Sequence, residues 1–343
     1  MNVKKLFIAI ICILSISNVS SQELLIRLND DYEMEIQAAA YNSDYRFHTA
    51  MKAWSEYQFN DILNLDSLNK SQFIVKNYNK KWKNLAWNSV FNTDFIGART
   101  DDFYIGINPI VDFQVGKDGS KSIWVNTRGA EVKGTIGNNF AFYTNLRENQ
   151  AVFPDYITDF AKTNRVVPGQ GHARTFKETG FDYANASAYL VARPVYWLQT
   201  TLGYGKNFIG DGYRSLILSD NAFAYPYVKL TADIWNIQYT FLYSQMSDKN
   251  RLLDDDTFAR KNIVIHYLDW AVTKRLNVGL FDAMVCKGQD ENGVSRGLDV
   301  QYINPILFLR TTDYYVGQSP DNALLGASGS LILGKHNTLY AQF

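Results

Sequence analysis

Along much of the chain, apolar and polar residues alternate with a period of two. Val228, Leu230, Ala232 and Ile234 fall on one side of an extended segment, with Lys229, Thr231 and Asp233 on the other. After Trp235-Asn236 the alternation resumes: Ile237, Tyr239, Phe241 and Tyr243 stand against Gln238, Thr240 and Ser244, so the pair is expected to form an antiparallel hairpin. Phe140 and Phe142 likewise oppose Tyr143, Asn145 and Arg147, and Leu276, Val278 and Leu280 oppose Asn277 and Gly279. A strand of this kind can bury its apolar face in a soluble sandwich or turn it to lipid, and alternation alone leaves both open.

The same reading predicts strands near 103–115, 121–133, 139–148, 183–193, 196–205, 223–234, 237–246, 261–271, 275–286, 298–305, 323–334 and 337–343, with no intervening helices. Between about 183 and 300, short turns at Arg193-Pro194, Trp235-Asn236 and Thr273-Lys274 alternate with longer loops at 206–222, 247–260 and 287–297, as in outer-membrane barrels. Two connections break that rhythm: Thr135 to Asn139 is short where a long loop was due, and Leu307 to Asn322 is too long for a turn. Before Thr100 the texture is helical or irregular. Phe47, Ala50, Met51, Trp54 and Tyr57 recur at helical spacing and predict one helix face, followed by a basic, solvated run at 76–84.

Residues 1–21 carry Lys4 and Lys5, an apolar run from Leu6 to Ile16 and small residues before Gln22, the layout of an export signal. That run is shorter than the roughly 20 residues a membrane helix needs, and no later run is long enough. An exported chain of this kind is soluble, or crosses a membrane as strands. Removing the signal removes Cys12 and leaves Cys286 alone, so no intrachain disulfide is expected. Formal net charge is +0 for the whole chain, and the loss of Lys4 and Lys5 takes it to about −2, which offers no nucleic-acid footprint. The load of 22 Tyr and 21 Phe suits a surface that is apolar in its middle and wet at its rims. These readings divide the chain into a signal at 1–21, a periplasmic or plug-like segment at 22–100 and an all-β antiparallel transmembrane barrel at 101–343.

Candidate chemistry is sparse. Gly203, Gly205, Gly210 and Gly212 look like a phosphate cradle, but Lys206 is followed by Asn207 and no helix, so an irregular inward loop is expected instead. His48, His172, His266 and His336 lack paired spacing, and Asp254-Asp255-Asp256 lacks the alternation of a calcium loop, so no metal is expected. Gly326 to Ser330 does not have the order of a nucleophile elbow. No cofactor and no catalytic residue is assigned. Arg214, Ser219, Asp220 and Asn221, with Tyr225 beside them, combine planar and hydrogen-bonding side chains of the kind that bind carbohydrate. The competing expectation is that this segment folds inward and satisfies itself.

The segment SLILSDNA from Ser215 to Ala222, with the upstream glycines, Pro226 and Leu230, resembles the core motif of the Wzi-like capsule-assembly barrels of the outer membrane. Together with INPIVDFQVGKD at 107–118, YLDWAVTKRLNVGLFDAMV at 267–285, LDVQYINPILFLR and SPDNALLG, it is most similar to the RemB-like members of gliding bacteria. The resemblance implies a non-enzymatic outer-membrane barrel whose partners are membrane lipid, surface polysaccharide and gliding or capsule-export machinery. Members of that family are usually longer, and Phe343 ends what reads as a strand in progress, so an incomplete barrel is expected. A porin-like channel and a secreted glycan-processing enzyme remain as alternatives.

Overall fold

The computed structural model describes residues 24–26, 28, 30–60, 94–137, 139–253, 257–289, 296, 300–304, 307–308, 321–334 and 337–343. The expected signal at 1–21, the basic run at 76–84, Asp254–Asp256 and His336 lie outside the described residues. In chain order, helix α1 (Asp30–Tyr41), strand β1 (Met51–Lys52) and the short helix α2 (Tyr57–Asn60) come first. Long strands follow: β2 (Ile96–Arg99), β3 (Phe103–Asp118), β4 (Lys121–Ile136) and β5 (Phe140–Val152). An excursion holds α3 (Asp155–Asn164), β6 (Val166–Val167), β7 (Gly171–His172) and β8 (Arg174–Phe176). Then come β9 (Gly180–Val195), β10 (Leu198–Gly205), the small inner strand β11 (Phe208–Ile209), β12 (Tyr225–Ile234), β13 (Ile237–Leu252), β14 (Phe258–Ala271) and β15 (Leu276–Lys287). A 3-10 turn (Val300–Ile303), β16 (Asn322–Leu333) and β17 (Asn337–Gln342) end the series.

One antiparallel sheet of 13 strands dominates, in the order β17-β16-β15-β14-β13-β12-β10-β9-β5-β4-β3-β2, with β8 added beside β9. The chain is therefore all-β. Among the described residues no helix is long and apolar enough to cross a membrane.

Register puts each alternating set on one side of the whole sheet. Thr201 faces Lys229, and Lys229 faces Leu242; Leu202 faces Val228, and Val228 faces Tyr243. The burial of the two sides is the reverse of a soluble sandwich. Lys229, Thr231, Gln238, Thr240 and Ser244 are buried, whereas Leu202, Leu190, Ile234, Val111 and Phe113 are exposed. We call the first side inner and the second outer. Phenylalanines 140 and 142 point outward, but Tyr143, Tyr183, Tyr189, Tyr225, Tyr227 and Tyr267 line the inner side, so the tyrosine load is not confined to the outer surface.

The inner side is covered by the described residues of 24–60, by the excursion after β5 and by the β10–β12 connection, with only the two-stranded pairs β1-β11 and β6-β7 as further sheets among the described residues. β1 pairs with β11, the Gly210 N–H donates to Ala50 O at 2.7 Å, and Ala50, Met51 and Ile209 pack on Tyr227, Leu242, Ile265 and Phe281 of the wall. The Leu25 N–H donates to the Tyr189 hydroxyl at 3.1 Å, and Asn277 Nδ2 donates to Phe47 O at 2.6 Å. Because the same connection meets β17, where Gln342 Oε1 accepts from the Leu216 N–H at 2.8 Å, the sheet must curve around what it holds.

Several expectations are corrected. Residues 47–57 form no amphipathic helix, since their apolar side chains go to two places: Ala50 and Met51 join the wall, while Trp54 and Phe47 pack with Ile36 and Phe59. No strand forms at 300–303. That segment is a 3-10 turn whose Tyr302 is buried against Val264, Met284 and Cys286 on the outer side of the sheet. The β9–β10 turn is Tyr196-Trp197 rather than Arg193-Pro194, because Arg193 is held in the ladder's extension by Tyr196 O and Gln199 Oε1. Helix α3 was not expected. The connection 137–139 belongs with turns 196–197, 235–236 and 272–275 at one end of the sheet, so no long loop was due there. The exception to the rhythm is the tight Gly119-Ser120 turn at the opposite end, where the other connections, 153–179, 206–224, 253–257 and 288–321, are longer.

Candidate functional site

The β10–β12 connection folds inward, which explains its composition. Gly203 stands opposite Tyr227, and a Cβ there would lie 2.5 Å from the tyrosine ring; at Gly212 it would lie 2.3 Å from the ring of Tyr340. These glycines make room for aromatic rings and do not cradle phosphate. Ser215 Oγ donates to Ile209 O and accepts from the Ile217 N–H at 3.0 Å, closing the loop on itself.

The five residues singled out from the sequence are divided by this fold. Tyr225 is buried at 2 % exposure and its hydroxyl accepts from the Asn207 N–H at 3.1 Å, so it braces the loop from beneath and is withdrawn from the loop surface. Arg214 is exposed, with its guanidinium 5.8 Å from the ring of Tyr213. Ser219, Asp220 and Asn221 form one turn, in which the Asn221 N–H donates to Ser219 Oγ at 3.2 Å. Asp220 lies near Lys206, whose ammonium donates to Gly169 O; burial lowers the Lys206 pKa and the Asp220 charge opposes that shift.

A cleft of about 340 Å³ lies between Leu25, Ile26 and Leu28 and the inner side of β5, β9 and β10, with Lys206 at its wall. It is polar and aromatic. Its walls include Tyr143, Asn145, Arg147, Asn185, Tyr189, Lys206 and Tyr227, with Gln170 from the excursion after α3. Tyr143 and Tyr189 are stacked with centroids 5.3 Å apart. Asn145 is committed, since its Oδ1 accepts from the backbone and hydroxyl of Ser187 at 3.0 and 3.1 Å. Asn185 Nδ2 donates to Gln170 Oε1 at 2.9 Å.

No family model matches this chain, and no curated protein is similar to it. The site must be judged on its chemistry. Among the described residues no group of His, Cys, Asp or Glu could hold a metal ion. Flat rings beside amides and cations suit sugar rings and their hydroxyls. Sequence reading placed Tyr143, Asn145 and Arg147 on a polar face but did not connect them to a site, because the partners that complete the cleft are Leu25, Ile26, Leu28, Gln170 and Lys206.

The inner segments are held by charge as well as packing. Lys52 Nζ donates to Glu33 Oε2 at 2.8 Å, both side chains being buried, and the ammonium sits 5.1 Å from the rings of Trp54 and Phe208. His48 Nδ1 lies 3.2 Å from Asp269 Oδ2. Thr49 Oγ1 donates to Asp211 Oδ1 at 2.6 Å, and burial, reinforced by the Asp269 charge, pushes the Asp211 carboxyl up to about 6.

Proposed function

We propose that the chain is an outer-membrane β-barrel, filled by its own N-terminal segment, that holds surface polysaccharide at the cleft and the loops above it. The observation that carries this reading is the inverted burial of the strands, with lysine, threonine and glutamine inside and leucine, valine and phenylalanine exposed. In water such an apolar surface would drive association. Hydrocarbon is the solvent in which it is stable. The ten-residue β12 and twelve-residue β15 suit a tilted span of about 9–11 residues. Exposed Tyr196, Trp197, Trp235 and Trp270 cluster at the short-turn end, the position of an interfacial aromatic girdle. A lipid environment also requires that β17 and β2, the ends of the strand order, be paired or covered.

Carbohydrate is favoured over a diffusing solute because the interior is occupied by residues 24–60 and the remaining cleft offers stacked tyrosines and amides. Resemblance to capsule-assembly and gliding barrels points the same way. Fractionation and surface labelling test the location: recovery solely in soluble periplasm would reject it. Replacing Arg214 and Asp220 by Ala is expected to lower polysaccharide retention while leaving insertion intact; failed insertion would make the turn purely structural.

A further inference from the structure

We infer, on the glycan-holding reading above, that the polysaccharide carries carboxylates and that Arg147 recognises them. Arg147 and Lys206 line the cleft, and among the described residues no carboxylate does. Lys206 is already engaged, with Gly169 O as its acceptor and Asp220 nearby. Arg147 differs from it. Its Nε is buried without a hydrogen-bond partner, and no ion pair forms on its guanidinium among the described residues.

The neighbours of Arg147 are committed elsewhere. Glu131, the acid on the inner side of β4, accepts from Asn108 Nδ2 at 3.2 Å and from the Tyr143 hydroxyl at 3.3 Å. Asn149 Oδ1 accepts from Thr127 Oγ1 at 2.7 Å. Directly across the ladder stands Gly129, which presents no side chain to the guanidinium. A cation held in a partly desolvated cleft without a counter-charge is unfavourable, and a ligand carboxylate removes that cost. The guanidinium fork matches a carboxylate with two parallel hydrogen bonds, while the stacked Tyr143 and Tyr189 rings and the Asn185 and Gln170 amides are left for the sugar ring and its hydroxyls. Uronic acid polymers unite these features in one residue.

The test titrates the purified protein in detergent with a panel of uronic acid oligomers, from galacturonan, alginate and hyaluronan, and with the same oligomers after carboxyl reduction. At least one acidic oligomer is expected to bind about tenfold or more tightly than its reduced form. Arg147→Gln should bring the acidic oligomer down to the reduced one, and Arg147→Lys should recover part of the loss. Retention of the folded, heat-modifiable band on electrophoresis shows that each variant has folded. Equal binding of acidic and reduced oligomers by the wild-type protein would overturn the charge recognition and leave the glycan reading standing. Full acidic binding by Arg147→Gln would overturn the assignment to Arg147. Failure of the whole panel, acidic and reduced alike, would overturn the glycan reading and this inference with it.

Discussion

Thr201 and Leu202 are adjacent in β10 and meet opposite surroundings. Thr201 is 0 % exposed and its hydroxyl has no partner among the described residues; Leu202 is 56 % exposed. The same contrast repeats across the sheet, so it is a property of the two faces and not of one strand. In a soluble sandwich the apolar face is buried and the polar face wet. Here Val111, Phe113, Leu190 and Leu202 of the apolar face are exposed, and the polar face is covered by the described residues of 24–60, the excursion after β5 and the β10–β12 loop. The difference teaches that hydrophobic burial does not hold the outer face in water. The inner face is stabilised by hydrogen bonds and buried charge together with the apolar cluster that joins Met51 and Ile209 to Tyr227, Leu242, Ile265 and Phe281.

The comparison is broken most severely by removing charge from inside. Lys52→Met takes the ammonium away from the buried Glu33 carboxylate, which is expected to cost about 3–5 kcal/mol. Proteolysis of residues 24–60 in the inserted protein should accelerate sharply, and Lys52→Met with Glu33→Leu should recover much of the protection. Unchanged protection in the single variant would mean that the ion pair does not hold the segment. Next in size is a charge placed outside. Leu202→Arg is expected to cost about 2–4 kcal/mol if its position is near the bilayer midplane, read as a lower unfolding midpoint in liposomes. A variant as stable as the wild type would place this face outside the hydrocarbon.

Both faces were legible in the sequence because a strand's period of two writes them directly, as with Phe140 and Phe142 against Tyr143, Asn145 and Arg147. What covers the inner face was not. Phe47, Ala50, Met51, Trp54 and Tyr57 have helical spacing, yet their partners are Ile209, Ile36 and Phe59, and no local pattern encodes a strand pairing between Met51 and Ile209. The segment 298–305 alternates like a strand, but its described part forms a 3-10 turn (Val300–Ile303) on the outer face, where Tyr302 O accepts from His266 Nε2 and the Tyr239 hydroxyl donates to Nδ1. For the candidate site, the inward loop was readable from its glycines. The withdrawal of Tyr225 was not, since it depends on the Asn207 N–H that its hydroxyl satisfies.

A smaller effect comes from acidity. Asp211 has a pKa near 6 in the folded protein against 3.8 as its ordinary value, so the carboxyl stays protonated where the released segment would have ionised it. The sign follows: seating of the loop against Thr49 is strongest below pH 4, weakens as pH rises to about 6 and is flat above, by about 3 kcal/mol at most. Protease protection of residues 24–60 across that range measures it. Asp211→Asn should flatten the slope, and a slope that persists belongs to another group.

Thr201→Val is the mildest change and discriminates best between the faces. Valine keeps the shape and discards a hydroxyl that finds no protein partner, so stability is expected to stay within about 1 kcal/mol of the wild type, with any shift toward greater stability. The outer neighbour cannot be treated this way, because Leu202 has no polar group to lose and, on the proposed membrane reading, only contact with lipid to forfeit. If Thr201→Val instead costs more than the Leu202→Arg change, the inner hydroxyls are hydrogen-bonded by solvent, and the polar face is a hydrated surface rather than a packed one.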